Sequence, residues 1–417
     1  MPHVARPRLL LLLPTTTYRA AAFVEAAHRL DIGLTVASDH VSVFASVQPT
    51  GLMALDFALP ERAAGQVRDF AAENPVAAVF GVDDDTAVIA AVIAETLGIR
   101  HVPPEAALAA RDKHRQRVML SEAGIPVPAF ALHAVTDDPL ALARATSYPC
   151  VLKPLRLSAS RGVIRADDPE AFVSAFRRIS RILEEPESAR CGEAARQILV
   201  ESFVPGEEVA LEGLMDGGRL RTLALFDKPD PLDGPFFEET IYVTPSLLAA
   251  DAQAAITKCT EGAALALGLE RGPIHAELRH NSDGPWVIEV AARPIGGRCG
   301  AVLRFGEGAA ACSLEELLLR HALGLPVESF ERERVAAGVM MIPTPRAGVL
   351  GEVRNLDGAR AVPLIDDVVI TAHRGQRLVP LPEGSRYLGF IFARGESPEG
   401  VTTALRAAHA TLDVVIN

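Results

Sequence analysis

Apolar and polar positions alternate at two periods along this chain, and the switches between them mark out its elements. Residues 8–13 hold an unbroken leucine run, as expected of a strand buried on both faces. Helical spacing follows from Tyr18 to Leu30, with Ala22, Val24 and Ala27 at small or apolar positions. Leu34–Ala37 is a second strand, Val67–Ala72 a short helix, and Ala77–Phe80 a third strand. Gly81-Val-Asp-Asp-Asp-Thr86 then leads into an apolar helix ending at Leu97-Gly98. This alternation predicts a parallel sheet with helices on its faces. No Gly-x-Gly-x-x-Gly opens the first helix, so a dinucleotide site is not expected. Val102-Pro-Pro104 interrupts the pattern and closes a first, Rossmann-like α/β domain over 1–104.

Glu105–Gly124 has helical spacing and ends at Ile125-Pro-Val-Pro128, since proline cannot continue a helix. Tyr148–Pro154 is a strand feeding a loop from Leu155 to Gly162, and a strand resumes at Val163-Ile-Arg165. Asp168–Leu183 is an amphipathic helix capped by Asp167 or Asp168, and residues 184–196 read as a polar, mobile loop. Residues 198–213 read as strand, turn, strand, Leu220–Phe226 as a strand and Ala249–Leu269 as a helix. Ile274, Ala276 and Leu278 alternate with His275, Glu277 and Arg279; Asn281-Ser-Asp-Gly284 is turn chemistry, and Trp286–Val290 is the returning strand. A helix from Ser313 to Leu323 follows, then short strands from Ala337 and a last helix over Pro398–Leu412. The expected division is 1–104, 105–197, 198–335 and 336–417.

At 417 residues the chain exceeds one compact core, and 49% hydrophobic residues exclude general disorder. No apolar run approaches the roughly 20 residues that span a bilayer. The leucine run ends in Pro14-Thr-Thr-Thr17 without a small-residue cleavage site, so a buried strand is expected in preference to a signal peptide. Five widely spaced cysteines with no Cys-x-x-Cys pair indicate neither a disulfide framework nor a zinc site, and fit a reducing cytoplasm. A net charge of −12 argues against nucleic acid as a partner. Of the 41 basic residues only four are lysines: Lys113, Lys153, Lys228 and Lys258. A chain that otherwise uses arginine keeps lysine where a compact ammonium matters, or by chance.

With the hairpin centred near Asp283, Glu277 and Glu289 fall opposite each other. Opposed side chains lie about 4.5–5.5 Å apart at Cβ, where like charges destabilise. A divalent cation between them removes that penalty; two solvated glutamates on an exposed hairpin are the plainer alternative. Lys153, beside Ser158, Ser160 and Gly162, is a recipe for holding phosphates, as backbone amides approach while the ammonium neutralises charge. Glu201 with nearby backbone can bond an adenine edge, and Glu208, seven residues on, can accept two ribose hydroxyls; both also fit a solvated hairpin.

Together these pieces resemble the ATP-grasp superfamily. Asp112-Lys113, Val151-Leu-Lys-Pro154, Glu201-Ser-Phe-Val-Pro-Gly-Glu-Glu208, Glu277 with Glu289, and Arg293 have its order and spacing over residues 100–325. Within it the chain is most similar to the L-amino acid ligases, through His275-Ala-Glu-Leu-Arg279, Val287-Ile-Glu-Val-Ala-Ala-Arg-Pro-Ile-Gly-Gly297, Phe226-Asp-Lys-Pro229, Pro235-Phe-Phe-Glu-Glu-Thr240 and the segment Tyr387–Gly395. The resemblance implies an ATP-grasp α/β fold with a small C-terminal α+β domain. It implies ATP and magnesium as cofactors, with two ions and manganese able to substitute. It further implies an acid and an amine, both amino acids or similar, as substrates, and a homodimer as a common assembly. Lys113 and Lys153 would contact phosphates, under a loop of Ser158, Ser160, Arg161 and Gly162 with Ser160 and Arg161 nearest the reaction. Glu201, Phe203, Val204 and Glu208 would seat the nucleoside, Glu277 and Glu289 the metal, and Arg293 the transferring phosphoryl group. Phe237, Glu239, Tyr242, His275, Gly296 and Gly297 would shape the substrate pocket. The expected activity is an ATP-dependent carboxylate–amine ligase acting through an acyl phosphate; the alternatives are a carboxylase or purine-pathway ligase on the same fold, or a nucleotide-binding module without catalysis. One position departs from the superfamily: Ala291 stands where many members carry an asparagine metal ligand.

Overall fold

The leucine run becomes a central strand of a parallel sheet. In the computed structural model, which describes residues 6–15, 17–40, 50–308 and 311–417, the first domain runs β1 (Arg8–Leu12), α1 (Ala20–Arg29), β2 (Gly33–Ser38), β3 (Leu52–Ala54), α2 (Pro60–Glu73), β4 (Ala78–Gly81) and α3 (Asp84–Leu97). The strand order is β3-β2-β1-β4, all parallel. Leu9 and Leu11 point into one core with Phe23 and Phe80, and Leu10 and Leu12 into another with Ala63 and Ile89. Both faces are covered, which is why the strand lacks alternation. The short helix expected at 67–72 is fourteen residues long. Pro60 starts it with a preset φ, and Glu61, Arg62, Arg68 and Asp69 on its exposed face masked its length.

The helix expected over 105–124 is two helices, α4 (Pro104–Arg111) and α5 (Lys113–Glu122). Asp112 breaks them: its backbone is extended (φ −107°, ψ 109°) and its carboxylate accepts from the Arg115 amide, capping α5. A lid subdomain follows, with β5 (Phe130–Ala134), α6 (Pro139–Ala145), β6 (Cys150–Pro154), β7 (Ile164–Ala166), α7 (Pro169–Glu184), α8 (Pro186–Ala189) and β8 (Gln197–Ser202) in an antiparallel sheet of order β5-β8-β6-β7. Asp168 caps α7 through the Ala171 amide at 2.8 Å. Residues 184–196, expected as a loop, form α8 and a 3-10 turn over Gly192–Arg196. Glu185 and Glu187 there are pinned to Arg161 at 2.5 and 3.2 Å. By sheet membership β8 belongs to the lid, so the division expected at 197/198 falls one strand early.

The remaining chain builds one eight-stranded sheet. β9 (Glu207–Asp216), β10 (Arg219–Asp227), β11 (Ile241–Thr244), α9 (Ala250–Ala266), β12 (Arg271–Asn281) and β13 (Gly284–Ala291) form its first half, ordered β13-β12-β9-β10-β11. It continues through Ala336–Ile342, Gly389–Gly395 and Ile365–Ile370. The expected boundary at 335/336 therefore lies inside a continuous sheet. One apolar core joins Leu9 and Phe23 of the first domain to Phe226, Leu317 and Phe390, which seats that domain against the sheet. Among the described residues no helix is long and apolar enough to cross a membrane, and the five cysteines are free.

The Pro205-Gly206 turn before β9 lies against β12. Gly206 has φ 126°, and a Cβ there would lie 2.3 Å from the His280 carbonyl oxygen. Gly206→Ala is expected to lower the unfolding free energy by about 2–4 kcal/mol, read as a fall in urea midpoint.

Candidate active site

The β12–β13 hairpin sets the centre of the site through its register. Asn281 pairs with Gly284 and Leu278 with Val287, but Glu277 pairs with Glu289. Ile288 is the extra residue of a β-bulge. Without it the two-residue turn at Ser282-Asp283 would oppose Glu277 to Ile288; the simple hairpin expected around Asp283 reached the same pairing without the bulge. The bulge is braced from α5. Arg117, fully buried, donates to the Ile288 carbonyl, and the Gln116 side chain bonds both the amide and the carbonyl of Val290, at 3.0 and 2.8 Å. Lys113, Gln116 and Arg117 stand at i, i+3 and i+4, so one face of α5 points at β13.

Each glutamate of the pair has its own cation. Lys113 Nζ lies 3.2 Å from Glu289 Oε1. Glu277 Oε1 lies 3.3 Å from Lys228 Nζ and 3.4 Å from His275 Nε2. Lys228 is also 2.8 Å from both Glu208 and Glu239, and Tyr242 donates to Glu239 at 2.7 Å. The three carboxylates lie close enough to one another to hold a metal ion, and the Lys228 ammonium stands among them. Burial opposes its charge, but Glu208, Glu239 and Glu277 outweigh that and hold its pKa well above the ordinary value. Glu239, with burial and Glu277 acting against Lys228, is pushed up to about 7. Desolvation opposes the charge of half-buried Glu277 as well, yet Lys228 and His275 hold it well below the usual range. Lys228 was not among the expected site residues; its rarity as one of four lysines was the available signal.

Cross-strand pairing extends the site along β9. Arg279 faces Glu208 in the register and bonds it at 3.0 Å, with further bonds to the carbonyls of Val204 (3.0 Å) and Leu232. The Phe203 ring lies under the guanidinium groups of Arg165 (4.1 Å) and Arg279 (4.9 Å), with Phe237 farther out at 6.0 Å from Arg279. Glu201 on β8 is buried between Lys153 Nζ at 2.6 Å and Arg117 Nε at 2.7 Å. Burial lowers the Lys153 pKa against the pull of Glu201. At the other end His275 faces Glu212, fully buried, whose Oε2 accepts from the Ile295 amide at 2.9 Å and lies 3.9 Å from His275 Nδ1. Burial raises the Glu212 pKa well above the ordinary range and lowers that of His275, in each case favouring the uncharged form.

The first domain supplies residues that the motifs did not reveal. Arg19 donates to the carbonyls of Val82 (2.6 Å), Pro294 (3.1 Å) and Ile295, and Tyr18 Oη accepts from the Gly297 amide at 2.8 Å. These bonds fix the Gly296-Gly297 turn; Gly297 has φ 58°, and a Cβ would meet Met341 Sδ at 2.5 Å. Asp84, opening α3, accepts from Arg293 Nε at 2.8 Å and from Ser158 Oγ at 2.9 Å. Burial works against its charge, but Arg293 and Arg111 hold its pKa far below the usual range.

Two expected loop residues lie elsewhere. Arg161 turns away from the cleft to Glu185, Glu187 and the Glu383 carbonyl (2.9 Å). Gly162 is buried behind the loop, its amide donating to the Pro382 carbonyl at 2.9 Å, and a Cβ there would lie 2.8 Å from Pro154 Cγ. Left-handed backbone at Ala159 and Ser160 (φ 53° and 55°) reverses the chain between them. The other expected site residues line one cleft of about 790 Å³, walled by all four segments of the chain, within the size range of cofactor sites.

A cleft between lid and sheet, floored by paired glutamates and edged by lysines, is that of an ATP-grasp protein. Residues 146–302 match the ATP-grasp domain and 340–417 the L-amino acid ligase C-terminal domain 2, so the chain carries an ATP-grasp domain followed by a C-terminal domain of the L-amino acid ligase type. It is similar to the alanine–anticapsin ligase of Bacillus subtilis strain 168, at 29% identity over 53% of this chain and 50% of that one. It is also similar to carnosine synthase 1 of Mus musculus, at 30% identity over 51% and 27%. The chain spans about half the length of the curated relatives it first matches. The structure of an L-amino acid ligase from Bacillus licheniformis superposes with a TM-score of 0.83 at 27% identity, covering 99% of both chains.

Two outcomes follow from the charge arrangement. Lys228→Met leaves three half-buried carboxylates without their buried ammonium and should cost about 3 kcal/mol of stability. Lys258→Met, on an exposed helix face, should stay within about 0.5 kcal/mol; both are read by chemical denaturation. Glu212 ionises near 4.5 when unfolded and well above that when folded. Its contribution is therefore full below about pH 4.5 and lost as pH rises through the folded value, by up to about 1.4 kcal/mol per unit. Glu212→Gln keeps the acceptor for Ile295 without the titration, so its stability relative to the parent should grow from pH 5 to pH 8.

Proposed function

We propose that this chain is an ATP-dependent ligase that joins a carboxylate to an amine, both amino acids or close relatives, and releases ADP and phosphate. The observation that carries the reading is the convergence of Lys113, Lys153, Glu277, Glu289 and Arg293 on one cleft. The likeness to an L-amino acid ligase over the whole chain and the matching C-terminal domain support it over a carboxylase or purine-pathway ligase. Structures of that second kind, such as the N5-carboxyaminoimidazole ribonucleotide synthetase of Thermotoga maritima, share the fold at 15% identity and a TM-score of 0.70.

The residues fit the groups they would hold. Glu201 Oε1 is buried and has no directed hydrogen bond despite its nearness to Arg117, so it can accept from an adenine amino group. Phe203 and Val204 would flank the base, and Glu208 would take the ribose hydroxyls. Lys113, Lys153, Ser158 and Ser160 would face the phosphates. The carboxylates of Glu277 and Glu289 are oxygen donors suited to magnesium, and they would hold it. When bound, the metal supplies charge neutralisation at the phosphates; we propose two ions, with manganese able to substitute.

The chemistry asked of the chain is mostly placement. The substrate carboxylate attacks the γ-phosphorus, the bond to the ADP oxygen breaks, and an acyl phosphate forms. The amine then attacks the acyl carbon, loses a proton, and phosphate leaves. Arg293 faces both steps with fixed N–H donors, which offset the charge that develops on the transferring oxygens. Gly296 and Gly297 would bring backbone close to the acyl group. Phe237, Glu239, Tyr242 and His275 would shape the pocket beside it. The loop at 155–162 would exclude water from the acyl phosphate.

The test is ADP release screened over pairs of amino acids; turnover that depends on neither acid nor amine overturns the reading, and bicarbonate-dependent ADP release redirects it to a carboxylase. Glu289→Gln should lower turnover by about a hundredfold or more with an unchanged far-ultraviolet circular dichroism spectrum.

A further inference from the structure

We infer that Asp84, which lies outside the ATP-grasp domain, is a positioning residue that couples the phosphate-covering loop to Arg293; the inference rests on the ligase reading above. Its two carboxylate oxygens serve two different parts of the chain. Oδ1 accepts from Arg293 Nε at 2.8 Å, and Oδ2 from Ser158 Oγ at 2.9 Å. Both partners line the cleft with Asp84 itself. Asp84 is the ion-pair partner of Arg293 among the described residues. Its own place is set by the first turn of α3, where Asp83 and Thr86 form a reciprocal cap that fixes the backbone at that end.

The loop that Ser158 anchors does not hold its shape unaided. Ala159 and Ser160 both occupy the left-handed region, which costs a non-glycine residue of the order of 1 kcal/mol or more and persists only where the surroundings impose it. Here they impose it from two sides. Behind the loop the Gly162 amide is held by Pro382, and Arg161 by Glu185, Glu187 and the Glu383 carbonyl. On the cleft side the Leu157 carbonyl accepts from Lys113 Nζ at 3.1 Å, and the side-chain tether next to the left-handed residues is Ser158 to Asp84. Cutting it lets the loop relax and at the same time frees the guanidinium of Arg293. A closed loop and an oriented arginine are thus one event, so the acyl phosphate forms only where water is excluded. In the uncoupled protein, water attacks the acyl carbon in place of the amine. The bond to phosphate breaks, the acid is regenerated, and ADP accumulates without amide.

The experiment compares Asp84→Ala, Asp84→Asn and Ser158→Ala with the parent. Coupling predicts that ADP formed per amide rises about fivefold in Asp84→Ala, the shift expected from losing one net hydrogen bond. KM for ATP should move much less than that ratio. Asp84→Asn keeps an acceptor for Arg293 and a donor for Ser158, so it should restore the parent ratio in large part. Ser158→Ala should raise the ratio and leave Arg293 held. Amide hydrogen exchange over residues 158–163 is measured in parallel without substrates, and should be faster in Asp84→Ala and Ser158→Ala. A parent that ligates no pair of substrates sinks the functional reading, and the exchange data alone then decide the tether. Unchanged exchange, or an unchanged ratio in a folded Asp84→Ala, overturns the inference. If Asp84→Ala does not fold, Ser158→Ala carries the same decision.

Discussion

The arrangement of this protein's cleft depends on one electrostatic constraint: carboxylates brought side by side in a partly buried site need cations placed among them. Glu208, Glu239 and Glu277 meet at a single ammonium, Lys228, and Glu289 is answered by Lys113. A compact, three-donor ammonium suits a junction of three carboxylates better than a planar guanidinium, whose donors lie in one plane. That explains a lysine at position 228 in a chain that otherwise favours arginine. It also divides labour along the cleft. Glu208 is tied to Arg279 as well as Lys228, so the Phe203 end of the cleft and the Glu277 end are held by one continuous network, and a charge change at either end is felt at the other.

Backbone irregularities deliver these side chains. The break at Asp112 makes Lys113 the first residue of a new helix instead of a mid-helix residue, and the following turn sends Gln116 and Arg117 into the sheet. Their bonds to Ile288 and Val290 secure the bulge that opposes Glu289 to Glu277. Helix break and bulge therefore work as a pair. A continuous helix would rotate the brace away, and an unbulged strand would turn Glu289 to the other face, since strand side chains alternate with period two.

What the sequence made legible follows the range of each interaction. Local features were readable: the apolar first strand, the cap at Asp168 and the turn at Asn281–Gly284; the motif residues were recognisable through the family resemblance, and most of them meet in one cleft. The misread segments had their structure set from a distance. Residues 184–196 are polar enough for a loop but are ordered by Arg161, more than twenty positions earlier. The family resemblance places Arg161 near the reaction, yet after the left-handed residues Ala159 and Ser160 its side chain meets Glu185, Glu187 and the Glu383 carbonyl. Tyr18, Arg19 and Asp84 carry no local signature; they act on Gly297, Pro294 and Arg293 through contacts spanning more than two hundred residues. The single continuous eight-stranded sheet was hidden for the same reason, because β11 and Ala336–Ile342 pair across the whole glutamate hairpin.

The departure at Ala291 has a physical counterpart in the structure. Ala291 is buried and faces His275 across β12–β13, and His275 reaches back along its own strand to Glu277. Burial lowers the His275 pKa and favours the uncharged ring, in which one nitrogen can donate to Glu277 while the other, Nδ1, stays without a hydrogen bond beside Glu212. A neutral donor orients the carboxylate without adding charge, so the charge compensation of Glu277 falls to Lys228. At this point in the site the side chain that meets a glutamate is thus a histidine on the neighbouring strand. It acts by steering Glu277, and the small residue at 291 contributes no donor of its own.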